Sequence, residues 1–345
     1  MRAIIIDTPG EADVLKMVDI ADPRPGEGEV VIRAAATAVN RADILQRQGN
    51  YPAPPGDTEV PGLEVAGVID QLGDDTTGWA VGDRVMTIVG GGGYAERVKA
   101  PADTLIRVPN RFDLVTAAAI PEVFITAYLN IFREAAMRQS ESVLIHGGAS
   151  GVGTAGIQLA KRLRDATVFA TVGSPEKAAR CEELGADQII LYKRENFADA
   201  IRERTGKHGV DVILDHIGGD YLADNMKALA PYGRLVIIGL MGGAKAELAI
   251  GPMMVKRQRI VGSVLRARPV TEKAEIVRAF RGEVMPLFED GRLQPVIHQP
   301  FPLEKVADAH RLVEANKNVG KVLLVIDETV TGKAAVAGVD TGRPT

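Results

Sequence analysis

The run VLIHGGASGVGTAGIQLAKRL, residues 143–163, constrains this chain more than any other stretch. A short apolar strand enters a glycine-dense turn, and the turn opens directly into an amphipathic helix with Ile157, Leu159, Ala160 and Leu163 on its inner face. Such a turn lets the backbone approach a dinucleotide pyrophosphate, and the free N–H groups at the helix start meet its charge. Against the G-x-G-x-x-G frame Gly148 and Gly153 fit, while Ser150 stands at the middle position beside Gly151. A small hydroxyl residue there still admits phosphate. Other glycine-loop chemistries fail. Thr154 and Ala155 follow Gly153 where a Walker loop has Lys-Ser/Thr, and Val152 breaks a G-x-S-x-G elbow around Ser150.

The rest of the chain supplies the frame for that turn. From Pro121 onward, apolar runs at 142–145, 167–172, 188–191, 211–214, 235–238 and 260–264 alternate with helical stretches. This alternation predicts an α/β fold with a doubly wound parallel sheet. The first hundred residues read differently, as strands at 3–6, 29–39, 65–72, 84–89 and 94–99 broken by DPRPGEGE, YPAPPGD and GGGG. That half is β-rich and barrel-like. After Leu265 the alternation stops, leaving helices near 272–288 and 303–315, a last strand at 321–326 and a flexible tail over 328–345. A chain of 345 residues is also long for one core, which favours two domains.

Several function classes are disfavoured by composition. A net charge of −4 with 4% aromatics advertises no nucleic-acid surface. Cys181 is the single cysteine, so neither an internal disulfide framework nor a multi-cysteine zinc site is available. The apolar start reaches Asp7 too soon for a signal peptide, and no 18-residue apolar run suggests a membrane span, so the expected location is cytoplasmic.

Cofactor choice is read about 20 residues past the turn, where an NAD enzyme usually carries Asp or Glu for the ribose hydroxyls. Here Gly173 and Ser174 stand there, with Lys177 one turn on. A carboxylate facing a phosphate at about 4 Å would cost roughly 4 kcal/mol per unit charge at an effective dielectric near 20, where a lysine would gain. The expectation is NADPH.

Catalytic groups are harder to find. Zinc alcohol dehydrogenases pair a nucleotide domain with a β-rich one, but Leu63 in PGLEVAG stands where they carry His, so no metal is expected. No tyrosine has Lys four residues later, which removes the short-chain reductase pair. His146 and His216 end strands of the nucleotide domain and read as structural; His208, His298 and His310 read as surface residues.

Taken together, the blocks NRADILQRQGNYPAPPG, PGLEVAG, GGYAE, HGGASGVGTAGIQLAK, DVILDHIGG, GLMGG and EANKNVGK resemble the zinc-free medium-chain dehydrogenase/reductase superfamily, specifically the zeta-crystallin-like quinone oxidoreductases. The resemblance covers about residues 1–327. It implies a Rossmann NADP-binding domain at 124–262, inserted into a GroES-like β-barrel catalytic domain made of 1–123 and 263–327, with the active site between them. It places Ser150, Gly151 and Val152 at the pyrophosphate, and Gly173, Ser174, Lys177 and Tyr192 around the 2′-phosphate. Gly239, Leu240, Met241, Ser263, Val264 and Leu265 would flank the nicotinamide, with Asn316 and Lys321 closing the site. Asn40 would stand near the nicotinamide and Tyr51 toward the substrate. It also implies a homodimer paired through Rossmann edge strands near 260–264.

Tyr51 is the candidate for orienting or protonating the acceptor oxygen. A phenol with pKa near 10 is protonated at neutral pH, and a positioned donor contributes roughly 10² to 10⁴ in rate. The expected activity is NADPH-dependent transfer of hydride, or single electrons, to a quinone. The alternatives are reduction of an enone or enoyl thioester, which for a carrier arm calls for a basic entrance drawn from Arg41, Arg47, Arg266 and Arg268, and a non-catalytic NADPH-binding protein.

Overall fold

The computed structural model describes residues 1–330. β1 (Arg2–Ile6) and β2 (Leu15–Asp19) form an antiparallel ribbon in front of the first large sheet. That sheet is built from β3 (Glu29–Val39), β4 (Glu64–Leu72), β5 (Arg84–Ile88), β6 (Arg97–Pro101) and β7 (Ile106–Arg107). Its organising strand is β3. One edge pairs with β4 along its length; the other takes β6 at residues 29–33 and a returning strand at residues 36–39. A bulge near Ala34–Ala36 bends β3 between those partners, as bulges do, so the sheet curls like a barrel wall.

Between β3 and β4 lies α1 (Arg41–Arg47); α2 (Leu114–Ala117) and α3 (Pro121–Tyr128) then lead out of the barrel. The second sheet follows: β8 (Ser142–Ile145), α4 (Gly151–Arg164), β9 (Thr167–Val172), α5 (Pro175–Leu184), β10 (Gln188–Leu191), α6 (Phe197–Arg204), β11 (Val210–Asp215), α7 (Leu222–Ala228), β12 (Leu229–Ile237), α8 (Ile250–Lys256) and β13 (Arg259–Gly262). All its pairings are parallel, in the order β10-β9-β8-β11-β12-β13. Val143, Leu144 and Ile145 of β8 are fully buried, the mark of a central strand covered on both faces. The chain then returns through α9 (Val270–Glu283), α10 (Met285–Glu289), β14 (Ile297–Pro302), α11 (Val306–Glu314) and β15 (Lys321–Val325) to the barrel sheet, whose order is β14-β15-β3-β4-β5-β7. The α/β architecture of a parallel Rossmann sheet beside a GroES-like β domain is therefore as the sequence implies.

Several boundaries differ from the sequence reading. The helix expected over 272–288 is two, because Pro286 lacks the N–H that would continue the ladder through Val284. The strand expected at 94–99 begins only at Arg97, leaving Tyr94 as a buried turn residue. β2, β7, β14 and α1 were not anticipated. Leu114–Glu134 is a helical stretch apolar enough to cross a bilayer, but 78% of its apolar window is buried against the protein. Most of the expected tail, from 331 on, lies outside the described residues.

Candidate functional site

The strand order reverses between β8 and β11, and their carboxyl ends open a crevice at that switch point, the usual place for a dinucleotide. The glycine turn lies there. Ser150 caps α4, its Oγ accepting Gly153 N at 3.0 Å, a bond of the kind that stabilises a helix start by about 1 kcal/mol. A Cβ on Gly153 would fall 2.3 Å from Gly147 O and 2.6 Å from Gly148 O, so only glycine lets the helix sit this close to the turn. Gly151 lies between Val123 and the Lys321 stem, and Val152 is partly buried beside it. Cys181 packs behind Gly148, and burial pushes its thiol up to about 12, which makes it inert.

At the adenosine end, Ser174 caps α5, accepting Lys177 N at 3.5 Å. The Tyr192 hydroxyl lies against Gly173, 3.0 Å from where a Cβ would stand. The Lys177 ammonium donates to Asn316 O at 2.6 Å, across the cleft, while Arg41 donates to Asn316 Oδ1 at 2.9 Å and to Val313 O at 3.0 Å. Burial and the neighbouring Lys193 lower the Lys177 pKa. One acid went unremarked in the sequence. Glu176 is beside Lys177, its carboxylate held below the usual range by the Ser174 hydroxyl and its own backbone N–H.

Of the residues expected to flank the nicotinamide, Leu240, Met241 and Val264 expose 58%, 48% and 50% of their surfaces, high for apolar side chains. Gly239 packs on His216, whereas Leu265 is in the core and Ser263 is buried against Arg268. His146 is buried between Thr171 Oγ1 (3.1 Å) and Asn225 Oδ1 (2.7 Å); burial pushes it down to about 3, as desolvation and Arg41 push His216 down to about 4. Both are neutral at physiological pH. His310 corrects the sequence reading. It is fully buried rather than superficial, with Nε2 3.1 Å from Tyr94 Oη, and desolvation lowers it to about 3. His208 and His298 are exposed as expected.

Tyr51, expected to face the substrate, is partly buried, its ring centroid 5.3 Å from the Arg266 guanidinium. Arg266 is itself buried and fastens three segments, donating to Gly90 O (2.7 Å), Tyr51 O (3.3 Å) and Gln46 Oε1 (2.8 Å). Burial raises the Tyr51 pKa and the field of Glu122 adds to this, with Arg266 opposing; the phenol stays protonated at neutral pH. Behind it lies a buried ionic cluster. Lys321 Nζ donates to Asn40 Oδ1 (2.6 Å), Glu64 Oε1 (2.8 Å) and Val39 O (3.3 Å), and Glu64 Oε2 accepts Glu122 N (2.9 Å). Asp43 accepts Asn40 N (2.8 Å), Gly62 N (3.2 Å) and the Tyr94 hydroxyl (3.1 Å). Desolvation lifts Asp43 to about 6, and desolvation with the Glu64 charge lifts Glu122 to about 8.

Glu64, Glu122 and Asp43 were missed in the sequence. A signal existed, since a glutamate opening an apolar strand in PGLEVAG must find a buried partner. Of the four arginines considered for a basic entrance, Arg47 is buried on Glu314 (2.5 Å) and Arg268 is paired with Glu134 (2.6 Å) and Glu272. With Arg266 turned inward, Arg41 is left, donating to Val313 O and Asn316 Oδ1.

No group of three or more His, Cys, Asp or Glu among the described residues could hold a metal ion. Asn40 and the Lys321 ammonium do not constitute a zinc donor set, since a protonated amine has no lone pair for a metal.

A parallel sheet with a dinucleotide turn, bonded at that turn to a second, β-rich half, defines a nucleotide-dependent dehydrogenase or reductase. Residues 26–110 match the alcohol dehydrogenase GroES-like domain, and residues 151–280 match the zinc-binding dehydrogenase domain. The chain belongs to the medium-chain dehydrogenase/reductase superfamily, among the zeta-crystallin-like quinone oxidoreductases. It is 32% identical to the human quinone oxidoreductase over 94% of this chain and 98% of that protein. The Escherichia coli quinone oxidoreductase, solved in complex with NADPH, superposes with a TM-score of 0.86 at 27% identity, covering 94% of this chain and 100% of the other. An NAD-dependent alcohol dehydrogenase superposes nearly as well, with a TM-score of 0.84 at 33% identity over 94% and 100% of the two chains. This protein is an oxidoreductase of that superfamily, with a nicotinamide cofactor and a small-molecule substrate.

Proposed function

We propose that the protein is a zinc-independent, cytoplasmic NADPH:quinone reductase. Likeness alone does not choose between NADPH and NADH, since relatives named for either superpose equally well. The residues favour NADPH: no acid ends β9, and Gly173, Ser174, Lys177 and Tyr192 converge where a 2′-phosphate would lie. The Ser150–Val152 turn takes the pyrophosphate; Gly239–Met241 and Ser263–Leu265 border the nicotinamide. Bound NADPH would supply the hydride.

The observation that carries the substrate reading is the positioned phenol. Tyr51 is protonated and held by Arg266 at the mouth of a cleft with no metal donor set. It can donate a hydrogen bond to an acceptor oxygen as negative charge grows there. A quinone is electrophilic enough to need little more, whereas an unactivated ketone demands stronger polarisation. Mixing the protein with NADPH and an ortho-quinone and following nicotinamide absorbance tests this. Rapid oxidation is expected; silence across quinones and enones would indicate a non-catalytic NADPH binder.

The reading includes a homodimer. β13 is an edge strand of the Rossmann sheet, and Tyr232, Ile250, Met254 and Val255 on neighbouring elements expose 62%, 61%, 71% and 79% of their surfaces. A free strand edge beside apolar surface is a pairing template. Light scattering should give twice the chain mass.

A further inference from the structure

We propose that Lys321 is a positioning residue of this cleft: its buried ammonium fixes the Asn40 carboxamide beside the pyrophosphate turn, replacing a metal as the organising cation. The inference rests on the reductase reading and deepens it.

An ammonium has three N–H donors, and Lys321 spends them on Asn40 Oδ1, Glu64 Oε1 and Val39 O. None is left for a cofactor phosphate. The residue is 3% exposed and Glu64 is fully buried, so this ion pair is out of water on both sides. Removing two charges from solvent is costly, and such pairs persist where every valence is met. Glu64 meets that demand with further bonds to Asn40 Nδ2 (2.9 Å) and Glu122 N (2.9 Å).

The consequence for Asn40 is an amide with one possible orientation. Its Nδ2 donates to Glu64 Oε1 and to Ala38 O (3.3 Å), and its Oδ1 accepts from the ammonium. Flipping the amide would set N–H groups against an ammonium and an oxygen against a carboxylate. Both amide N–H groups are thus spent, and the Asn40 side chain also forms a capping box with Asp43 at the start of α1. Asn40 therefore cannot stabilise an oxyanion; that task falls to Tyr51.

The same lysine reaches the cofactor turn with its stem. A Cβ on Gly151 would meet Lys321 Cδ at 2.9 Å, and the preceding residue bonds the turn directly through Gly320 N to Ala149 O (2.8 Å). The end of β3 and the starts of β4, α3 and β15 are thus tied to one ion pair, and the start of α4 packs on the lysine stem. Zinc-binding relatives give the matched domain its name. A protonated amine cannot ligate a cation and would repel one, so this chain carries its organising charge covalently.

Lys321→Met alone would strand Glu64, so the test is the neutral pair Lys321→Met/Glu64→Gln. Measured are the NADPH Kd by calorimetry, kcat and KM with an ortho-quinone, and the emission of bound NADPH. With Asn40 misoriented, kcat should fall about 10²-fold, as for a displacement of roughly 1 Å at a reacting centre. The NADPH Kd and quinone KM should stay near wild type while the emission shifts. Asn40→Ala, which leaves the ion pair intact, should lose kcat similarly and add little to the double variant. A weakened NADPH Kd with unaltered emission would make Lys321 a cofactor ligand and overturn the proposal. Wild-type kcat in either variant would do the same. If the wild-type protein reduces no acceptor, the quinone reading fails, and the emission comparison still decides the role of Lys321.

Discussion

The two ends of the cleft are both governed by lysines, and they are built in opposite ways. At the end proposed for the adenosine, Lys177 lies on a helix surface and donates to the Asn316 backbone carbonyl. At the end proposed for the nicotinamide, Lys321 is sealed in the core among three oxygens, one of them from the buried Glu64 carboxylate. A surface cation can exchange its partner for an incoming phosphate at small cost, and so suits recognition. A buried one cannot let go without stranding a charge, and so suits geometry. In the proposed reductase, binding and alignment are separated along one cofactor.

If that separation is right, substitutions at the substrate end should change rate and those at the phosphate end should change affinity. Tyr51→Phe should have the largest effect, lowering kcat roughly 10²-fold or more by removing the donor while leaving NADPH affinity nearly unchanged. Steady-state kinetics with paired calorimetry decides it; full turnover would remove Tyr51 from the mechanism. Next is Gly153→Ala, whose methyl group would press on Gly147 O and Gly148 O. Backbone does not yield as side chains do, and overpacking of roughly 1–3 kcal/mol would weaken NADPH binding by up to about 10²-fold. Gly151→Ala should weaken it less, since the added methyl meets the side chains of Val123 and Lys321.

Lys177→Met should raise the NADPH Kd about tenfold, the scale of one partly screened charge contact, and leave NADH unaffected. Glu176→Gln is the sharper version. Removing that carboxylate from beside the lysine should tighten NADPH and not NADH; equal changes for both cofactors would mean that no 2′-phosphate is read there.

How much of this was legible follows the same division. The phosphate turn and the strand–helix alternation around it could be read because they depend on neighbours in sequence: a glycine where the helix closes on the strand, a small hydroxyl residue beside it. Glu64 and Lys321 are 257 residues apart, and nothing local marks them as partners. The same holds for His310, whose partner Tyr94 is 216 residues away; on an amphipathic helix its residue type alone suggests a solvated face. Long-range polar pairs are set by topology, so sequence reveals the need for a partner but not its identity.

The smallest effect should come from Glu122, and it shows whether the buried cluster shapes stability as well as geometry. Four charged groups face this carboxyl from different elements: Glu64 on β4, Asp43 on α1, Lys321 on β15 and Lys273 on α9. Desolvation and the Glu64 charge raise it from 4.5 to about 8, so the folded protein binds a proton that the unfolded chain has released. The stabilisation is fully present below about pH 4.5 and is lost as pH rises through about 8. Glu122→Gln keeps the neutral shape and abolishes the titration. Urea midpoints of variant and wild type should therefore lie closest in acid and diverge by about 1 kcal/mol toward alkaline pH, the variant being the more stable there. Parallel midpoints across that window would mean that Glu122 is ionised in the folded protein and compensated by Lys273. The cluster would then hold a second ion pair beside that of Lys321, and the nicotinamide end would be organised by two cations.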